Sequence, residues 1–313
     1  MSRVDLHVHT RHSEWRHMRF VHPRDSYVEP VDAYRAARRA GMDLVAITDH
    51  DAVEGALGLM HHPEVEPERI IVGEEVECTF PETGQWVHVN VLGLTEADHH
   101  ELRRRRDDVR AVVEYCQGRG LLHVLNHPFQ SYFGQKPLQA YIEDILALFT
   151  HVEGFNGGVT LLQNRAVGAL CREAGARGHR LTQVGGSDAH LAGRVGAAWT
   201  EADGDTAAAF LNEVKAGRCH PRGSIGGTWG LFMDVQAIIA TYYGRLYTGR
   251  GDDGTAWDAA SDLLGATLCL PAAFGPFPFA VVAANQLRQK WISRAVLARL
   301  PSLNWTRIQA PAL

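Results

Sequence analysis

Seven short apolar runs alternate with longer amphipathic stretches through the first 220 residues, and no other feature narrows the fold as far. The runs lie at 4–8, 43–48, 70–76, 86–94, 121–126, 151–156 and 181–186. Between most of them, helical patterns at 30–40, 97–117, 138–149, 160–176 and 206–216 bring apolar side chains to one side. In the first of these Val31, Tyr34, Ala37 and Arg38 share a side, with Pro30 near the start and Gly41 just past the end, the asymmetry of a helix start and stop. This is the rhythm of βα units, closed into a barrel or wound as an open sheet. No GxGxxG or P-loop follows any run, which weakens the nucleotide-binding open sheet.

Composition removes other classes. The 313 residues are 45% apolar and 21% charged, too hydrophobic for disorder and too charged for a bundle of membrane spans. A net charge of −5 offers no general attraction to nucleic acid. Histidine stands out, with 17 residues against 3 Lys and 28 Arg, and imidazole is the commonest metal-ligand side chain. The five cysteines, Cys78, Cys116, Cys171, Cys219 and Cys269, contain no CxxC pair and are expected to be reduced packing residues. The N-terminal stretch lacks the apolar segment of a secretory signal, so a cytoplasmic location is expected. The stretch 263–287 is long enough to span a bilayer, but Pro271, Pro276 and Pro278 break it, and two short buried segments with a turn between them are expected. After about Ser224 the chain turns to glycine, aromatic and small apolar residues. It is read as a helical extension, 225–313, packing on the barrel of 1–224 or on a partner, with an oligomer possible through 265–284.

Ionisable side chains stand at six of the seven strand ends, and in α/β barrels and sheets the carboxyl ends of strands carry the site. His7 and His9 form an HxH whose side chains share one strand face. The second run ends in Asp49-His50-Asp51, and the third in Gly73-Glu74-Glu75-Val76-Glu77. The fourth carries His88, the fifth ends in Asn126-His127-Pro128, and the seventh in Gly186-Ser187-Asp188-Ala189-His190. Each alone has an ordinary reading as a cap, a solvated edge or a turn. Burying them together at one rim would cost several kcal/mol apiece without a shared positive centre, so the set predicts bound metal.

In this order, Asp5-Leu6-His7-Val8-His9-Thr10, Ile47-Thr48-Asp49-His50-Asp51, Gly73-Glu74-Glu75, His88, Asn126-His127-Pro128 and Gly186-Ser187-Asp188-Ala189-His190 resemble the motifs of the PHP (polymerase and histidinol phosphatase) phosphoesterases, over about residues 3–195. The resemblance implies a distorted seven-stranded (β/α)7 barrel of TIM-like type and two or three divalent metal ions, zinc, manganese or iron. It implies His7, His9, Glu75 and Asp188 around one metal, with Glu75 bridging to a second held by His88 and His127. A third would take His50, His190 and a residue shortly after the HxH. Glu14 has that spacing, and His12 and His17 lie near enough to serve instead. Within the triplet, Glu75 matches the family's Gly-x-Glu pattern, while strand alternation puts Glu74 on the opposite face and Glu77 on the same one.

Three divalent ions outweigh the carboxylates of Glu14, Glu75 and Asp188, leaving a positive cleft that suits a phosphate dianion. The expected activity is hydrolysis of a small phosphate monoester or cyclic phosphodiester. A hydroxide bridging the metals would attack phosphorus in line. Glu75, Asp188 and His190 form the expected catalytic set, and Arg194, four residues after His190, would contact a phosphoryl oxygen. The competing readings are a nuclease of the same type and a non-catalytic metal-binding module. Net acidity, few lysines and no basic-aromatic groove disfavour nucleic acid; no membrane partner is expected.

Overall fold

The computed structural model describes residues 1–13, 24–248 and 256–305. Nine strands make one sheet: β1 (Ser2–Asp5), β2 (Leu44–Ile47), β3 (Ile70–Phe80), β4 (Gln85–Leu92), β5 (Leu122–Leu125), β6 (His151–Asn156), β7 (Thr182–Gly186), β8 (Ala198–Ala202) and β9 (Cys219–Gly223). Their order is β7-β6-β5-β4-β3-β2-β1-β8-β9. All seven expected runs are strands. The count of seven is corrected to nine, because β8 and β9 form an antiparallel pair that adds to β1.

The sheet departs from regular (β/α) repeats at its centre. β3 and β4 are joined by the turn at 81–84, too short for a parallel crossover, so they pair antiparallel, and β4 does the same with β5. Gly84 closes this turn at φ +67°, in the left-handed region that glycine enters without steric cost. The remaining contacts among β1–β3 and β5–β7 are parallel. The sheet then curls until its ends meet. Beyond β1, Val8 bridges in parallel to Ala189 beyond β7, with the His9 amide donating to the Ala189 carbonyl at 2.9 Å. The Thr200 hydroxyl on β8 also bonds the Gly185 amide and carbonyl on β7. The result is a nearly closed barrel.

Helices cover the outside: α1 (Pro30–Arg39), α2 (Glu54–Met60), α3 (Glu96–Arg105), α4 (Val109–Arg119), α5 (Leu138–Leu148), α6 (Leu161–Gly175) and α7 (Ala207–Lys215). The single helix expected over 97–117 is two, because Asp108 caps a new start by accepting from the Arg110 amide. After β9 come α8 (Gly227–Tyr247), α9 (Ala256–Ala273) and α10 (Phe277–Arg299). α10 lies on α6, and its Ile292 and Val296 belong to the same core as Val76, Val89, Tyr141 and Phe149 of the barrel. The turn expected inside 263–287 falls between α9 and α10, but the burial expected there does not hold. α9 packs on α8 and α10 and leaves an apolar outer face exposed. Four cysteines are buried thiols as expected of packing residues, whereas Cys269 on α9 is exposed.

Candidate metal centre

Glu75 is the hub of the rim. It lies in β3 just beyond the end of β2, bridged in parallel to His50. Its Oε2 lies 3.1 Å from His7 Nε2, 3.3 Å from His9 Nε2 and 3.2 Å from His50 Nδ1. Its Oε1 lies 3.1 Å from both His88 Nδ1 and His127 Nε2, and accepts from the Asn126 amide at 2.7 Å. Asp188 Oδ1 closes the set at 3.6 Å from His7 Nε2 and 3.5 Å from His9 Nε2. Strand alternation is visible in the neighbours. Glu74 turns outward to pair with His99 on α3, while Glu77 stays on the inner side, 3.6 Å from His88 Nε2. Because β4 runs antiparallel, His88 reaches the rim from near the start of its strand, paired in register with Glu77.

The third expected cluster contains a residue the sequence reading missed. His9, His50 and His190 surround Asp25, whose Oδ2 lies 2.6 Å from His190 Nε2 and 3.6 Å from His50 Nε2. Asp25 stands in the loop before α1, largely buried at the rim with one side open to the cavity. Glu14 and His17 lie outside the described residues. His12 is described; it is absent from every metal-competent group among the described residues, and its ring lies beside Gly55. Asp25→Ala is expected to lower bound metal by about one equivalent while the fold survives, since only one group loses its carboxylate; elemental analysis alongside a melting curve checks this.

Glu153 on β6 is the other residue not foreseen. Its Oε1 meets His7 Nδ1 at 2.9 Å, and its Oε2 accepts from the His127 amide and from Asn156. Both oxygens are occupied by protein, so Glu153 orients the His7 ring and leaves Nε2 facing inward, the usual carboxylate–histidine support of a metal ligand. Ser13 does the same for His9 through Nδ1 at 3.0 Å. Asp5 accepts from the Ser187 amide and hydroxyl and from the Gly196 amide, tying the segment after β7 to β1. Among the described residues, the three non-glycine positions with positive φ are Asp51, His127 and Asp188, all at this rim. Such backbone costs of order 1–3 kcal/mol each and persists where surrounding contacts over-determine it. Gly186 admits no side chain: a Cβ there would sit 2.4 Å from His7 Cβ. Gly186→Ala is accordingly expected to displace His7 and weaken metal retention by at least about tenfold, measured by competition with a chelator.

Electrostatics show how strained the rim is as protein alone. Burial would raise the Glu75 carboxyl, but His7, His88 and His50 around it hold it well below its ordinary range. Burial likewise opposes charge on His88 and His190, yet facing carboxylates raise both to about 10, Glu75 with Glu77 for the first and Asp25 with Asp188 for the second. His50 goes the other way, to about 3, because burial outweighs Glu75. Asp25 is drawn down to about 2 by His190, His50 and His9 against the effect of burial. Glu75 Oε2, Asp25 Oδ2 and both His88 nitrogens are buried and face imidazole or carboxylate atoms of the rim at 2.6–3.6 Å without well-aligned hydrogen bonds, and His127 Nδ1 is buried with no partner among the described residues. Imidazole nitrogens and carboxylate oxygens aimed at common points fit divalent metal.

A cavity of about 560 Å³ opens beside Asp25, Asp188 and His190 and runs between the barrel and α8 and α10. Arg194 lines it, with its Nε donating to Asp234 of α8 at 2.7 Å. Two more cations, Arg165 and Lys290, also line it, while Leu231, Val235 and Ile238 of α8 give it an apolar wall. On the loop after β5, Tyr132 is absorbed in packing, stacked on Tyr141 at 5.0 Å, whereas Phe133 is exposed beside Trp86.

Fold and rim together define an α/β barrel protein with a multi-histidine, carboxylate-bridged centre suited to divalent metal. Residues 173–219, which include Asp188 and His190, match the family described as PHP-associated, which bears out the PHP resemblance read in the motifs. An uncharacterized protein of Methanocaldococcus jannaschii is 30% identical over 81 residues, 25% of this chain. The match covers 45% of that curated relative's length. Three solved structures are similar in shape. A Bifidobacterium adolescentis protein described as a metal-dependent phosphoesterase has TM-score 0.44 at 17% identity, covering 61% of this chain and 88% of its own. An amidohydrolase of Chromobacterium violaceum with bound sulfate and no metal has 0.47 at 18%, covering 69% and 97%. The lesion-specific endonuclease EndoQ of Pyrococcus furiosus has 0.42 at 12%, covering 96% and 91%. At this level of likeness none of the three bears on the role of a residue here.

Proposed function

We propose that the protein is a metal-dependent phosphoesterase acting on a small phosphate monoester or cyclic phosphodiester. The observation that carries this reading is the convergence of five imidazoles on the two oxygens of Glu75, with buried atoms between them that lack well-aligned hydrogen bonds. His7, His9 and Asp188 would hold one ion, Glu75 with His88, His127 and His50 a second, and Asp25 with His9, His50 and His190 a third. Mixed imidazole and carboxylate ligands favour zinc, manganese or iron over calcium. Bound there, such ions supply an acidified water as nucleophile and neutralise charge on the phosphoryl group. The protein's own part is to fix those ligands, to exclude water around the buried face of Glu75, and to hold the substrate. Arg165 and Lys290 have no ion-pair or hydrogen-bond partner among the described residues, so the cavity wall retains positive charge for an anionic guest. Arg194, tethered to Asp234, would contact a phosphoryl oxygen, and a water would protonate the leaving group, since both ring nitrogens of His190 are committed, one to the third ion and one to the Asp188 carbonyl.

The test is hydrolysis of p-nitrophenyl phosphate by protein reconstituted separately with zinc, manganese and iron, followed by a screen of phosphorylated metabolites. Turnover that appears with metal and vanishes with chelator supports the reading. Full metal loading without hydrolysis of any phosphoester would leave a metal-binding module instead. Cleavage of oligonucleotides with a steep salt dependence would favour the nuclease.

A further inference from the structure

We propose that the outer face of α9 and α10 seats this protein on the surface of an anionic lipid bilayer. Twelve of the fifteen large hydrophobic side chains exposed among the described residues fall between Trp229 and Trp291, and nine of them between Leu264 and Trp291. Leu264 and Leu268 of α9, Phe274 of the turn, and Phe277, Leu287 and Trp291 of α10 are all exposed; Leu268 is 73% and Trp291 70% exposed. Monomeric proteins rarely leave so many large apolar groups together in water.

The charge pattern selects the occupant. From residue 263 to 313 the chain has no aspartate or glutamate, but it carries Arg288, Lys290, Arg294, Arg299 and Arg307, in a protein of net charge −5. Arg288 is engaged by the Gln130 and Tyr132 carbonyls and Lys290 lines the cavity, so Arg294 and Arg299 are the exposed cations of α10. The stretch 263–287 has no charge of either sign. The apolar stretch is preceded on α9 by Asp258 and Asp262 but followed on α10 by cations alone, and with tryptophan beside those cations the α10 side matches the hydrocarbon boundary and headgroup layer of an anionic membrane. A second copy of the chain fits less well, because a twofold contact centred on α10 would bring its arginines together with no acid on that helix to meet them.

The protein would lie on the bilayer and not cross it. No single helix among the described residues is long and apolar enough to span, and the two segments Leu264–Ala273 and Phe277–Ser302 are bent by 66° at their break. The inner face of α10 is committed to the barrel, since Ile292, Val296 and Leu300 sit in its largest core cluster. Leaving that core to insert would expose it. The expectation of no membrane partner rests on charge content and on the three prolines, both of which bear on spanning and not on an interfacial seat.

Flotation of the full chain with vesicles of phosphatidylcholine, with and without phosphatidylglycerol, tests the proposal. Binding is expected to be at least about tenfold tighter with the anionic lipid. Leu268→Ser/Phe277→Ser is expected to reduce it about tenfold or more, and Arg294→Glu/Arg299→Glu to abolish the lipid preference. Both variants alter exposed positions, so metal content and melting temperature should match the parent and report that folding is intact. Equal or absent binding to the two vesicle types would overturn the proposal. So would a concentration-dependent dimer, seen without vesicles and dissolved by Leu268→Ser/Phe277→Ser, which would assign the face to a second copy.

Discussion

Glu75→Gln is expected to empty the centre and lower turnover by about a thousandfold or more, because bridging ligation and charge neutralisation are lost together. The amide keeps the size of the carboxyl but removes the charge that five imidazoles face. His88, raised to about 10 largely through Glu75, should then titrate much lower, an effect visible by NMR in the metal-free protein. Glu74→Gln, one residue away, is the control. Its carboxyl points outward to His99, so metal content and turnover should stay near those of the parent, with some loss of stability. A Glu75→Gln protein that keeps its metal and more than about a tenth of its rate would remove the basis of the proposed chemistry.

Metal binding is expected to release protons. Without metal, His88 and His190 carry pKa values raised to about 10, so both are protonated at neutral pH and their nitrogens cannot ligate. Each proton displaced contributes about a tenfold gain in apparent affinity per pH unit, so between pH 6 and 8 affinity should climb steeply, by up to about a hundredfold per unit for two protons. Calorimetry in buffers of different ionisation enthalpy counts the released protons, and a count of zero would contradict the assignment. The same shifts set the stability of chelator-treated protein. A histidine whose folded pKa is raised contributes stability that is complete below its unfolded value of 6.5 and is lost as pH rises through about 10. The metal-free melting temperature should therefore fall across that window, while metal-loaded protein should not show the same decline.

Much of this site is legible in one dimension, for identifiable reasons. His7 and His9 declare a shared face by their two-residue spacing, and Glu74 and Glu75 declare opposite faces by the same rule. Asp188 and His190 follow a glycine-ended strand whose carboxyl end must open on the rim. Glu153 left a signal that was passed over: a carboxylate inside the short run His151–Asn156, buried where no solvent reaches it. Asp25 left none, since an aspartate before a proline-started helix reads equally well as ordinary turn chemistry. The antiparallel centre of the sheet is not evident from the runs at 70–76 and 86–94; it follows from the longer strands of the structure, which leave only the turn at 81–84 between β3 and β4.

The alternation of apolar runs, the spacing of histidines and carboxylates within each run, and the stretch of chain from 263 onward without an acid are properties of the sequence itself, fixed by periodicity and composition. Tertiary structure decided what those patterns meet. It brought Asp25 from a loop and Glu153 from β6 each to a ring more than a hundred residues distant, His190 and His7, added β8 and β9 to the sheet, and left α9 uncovered. Those outcomes depend on which surfaces face one another after the sheet curls, and local pattern carries no information about partners brought close only by closure of the barrel.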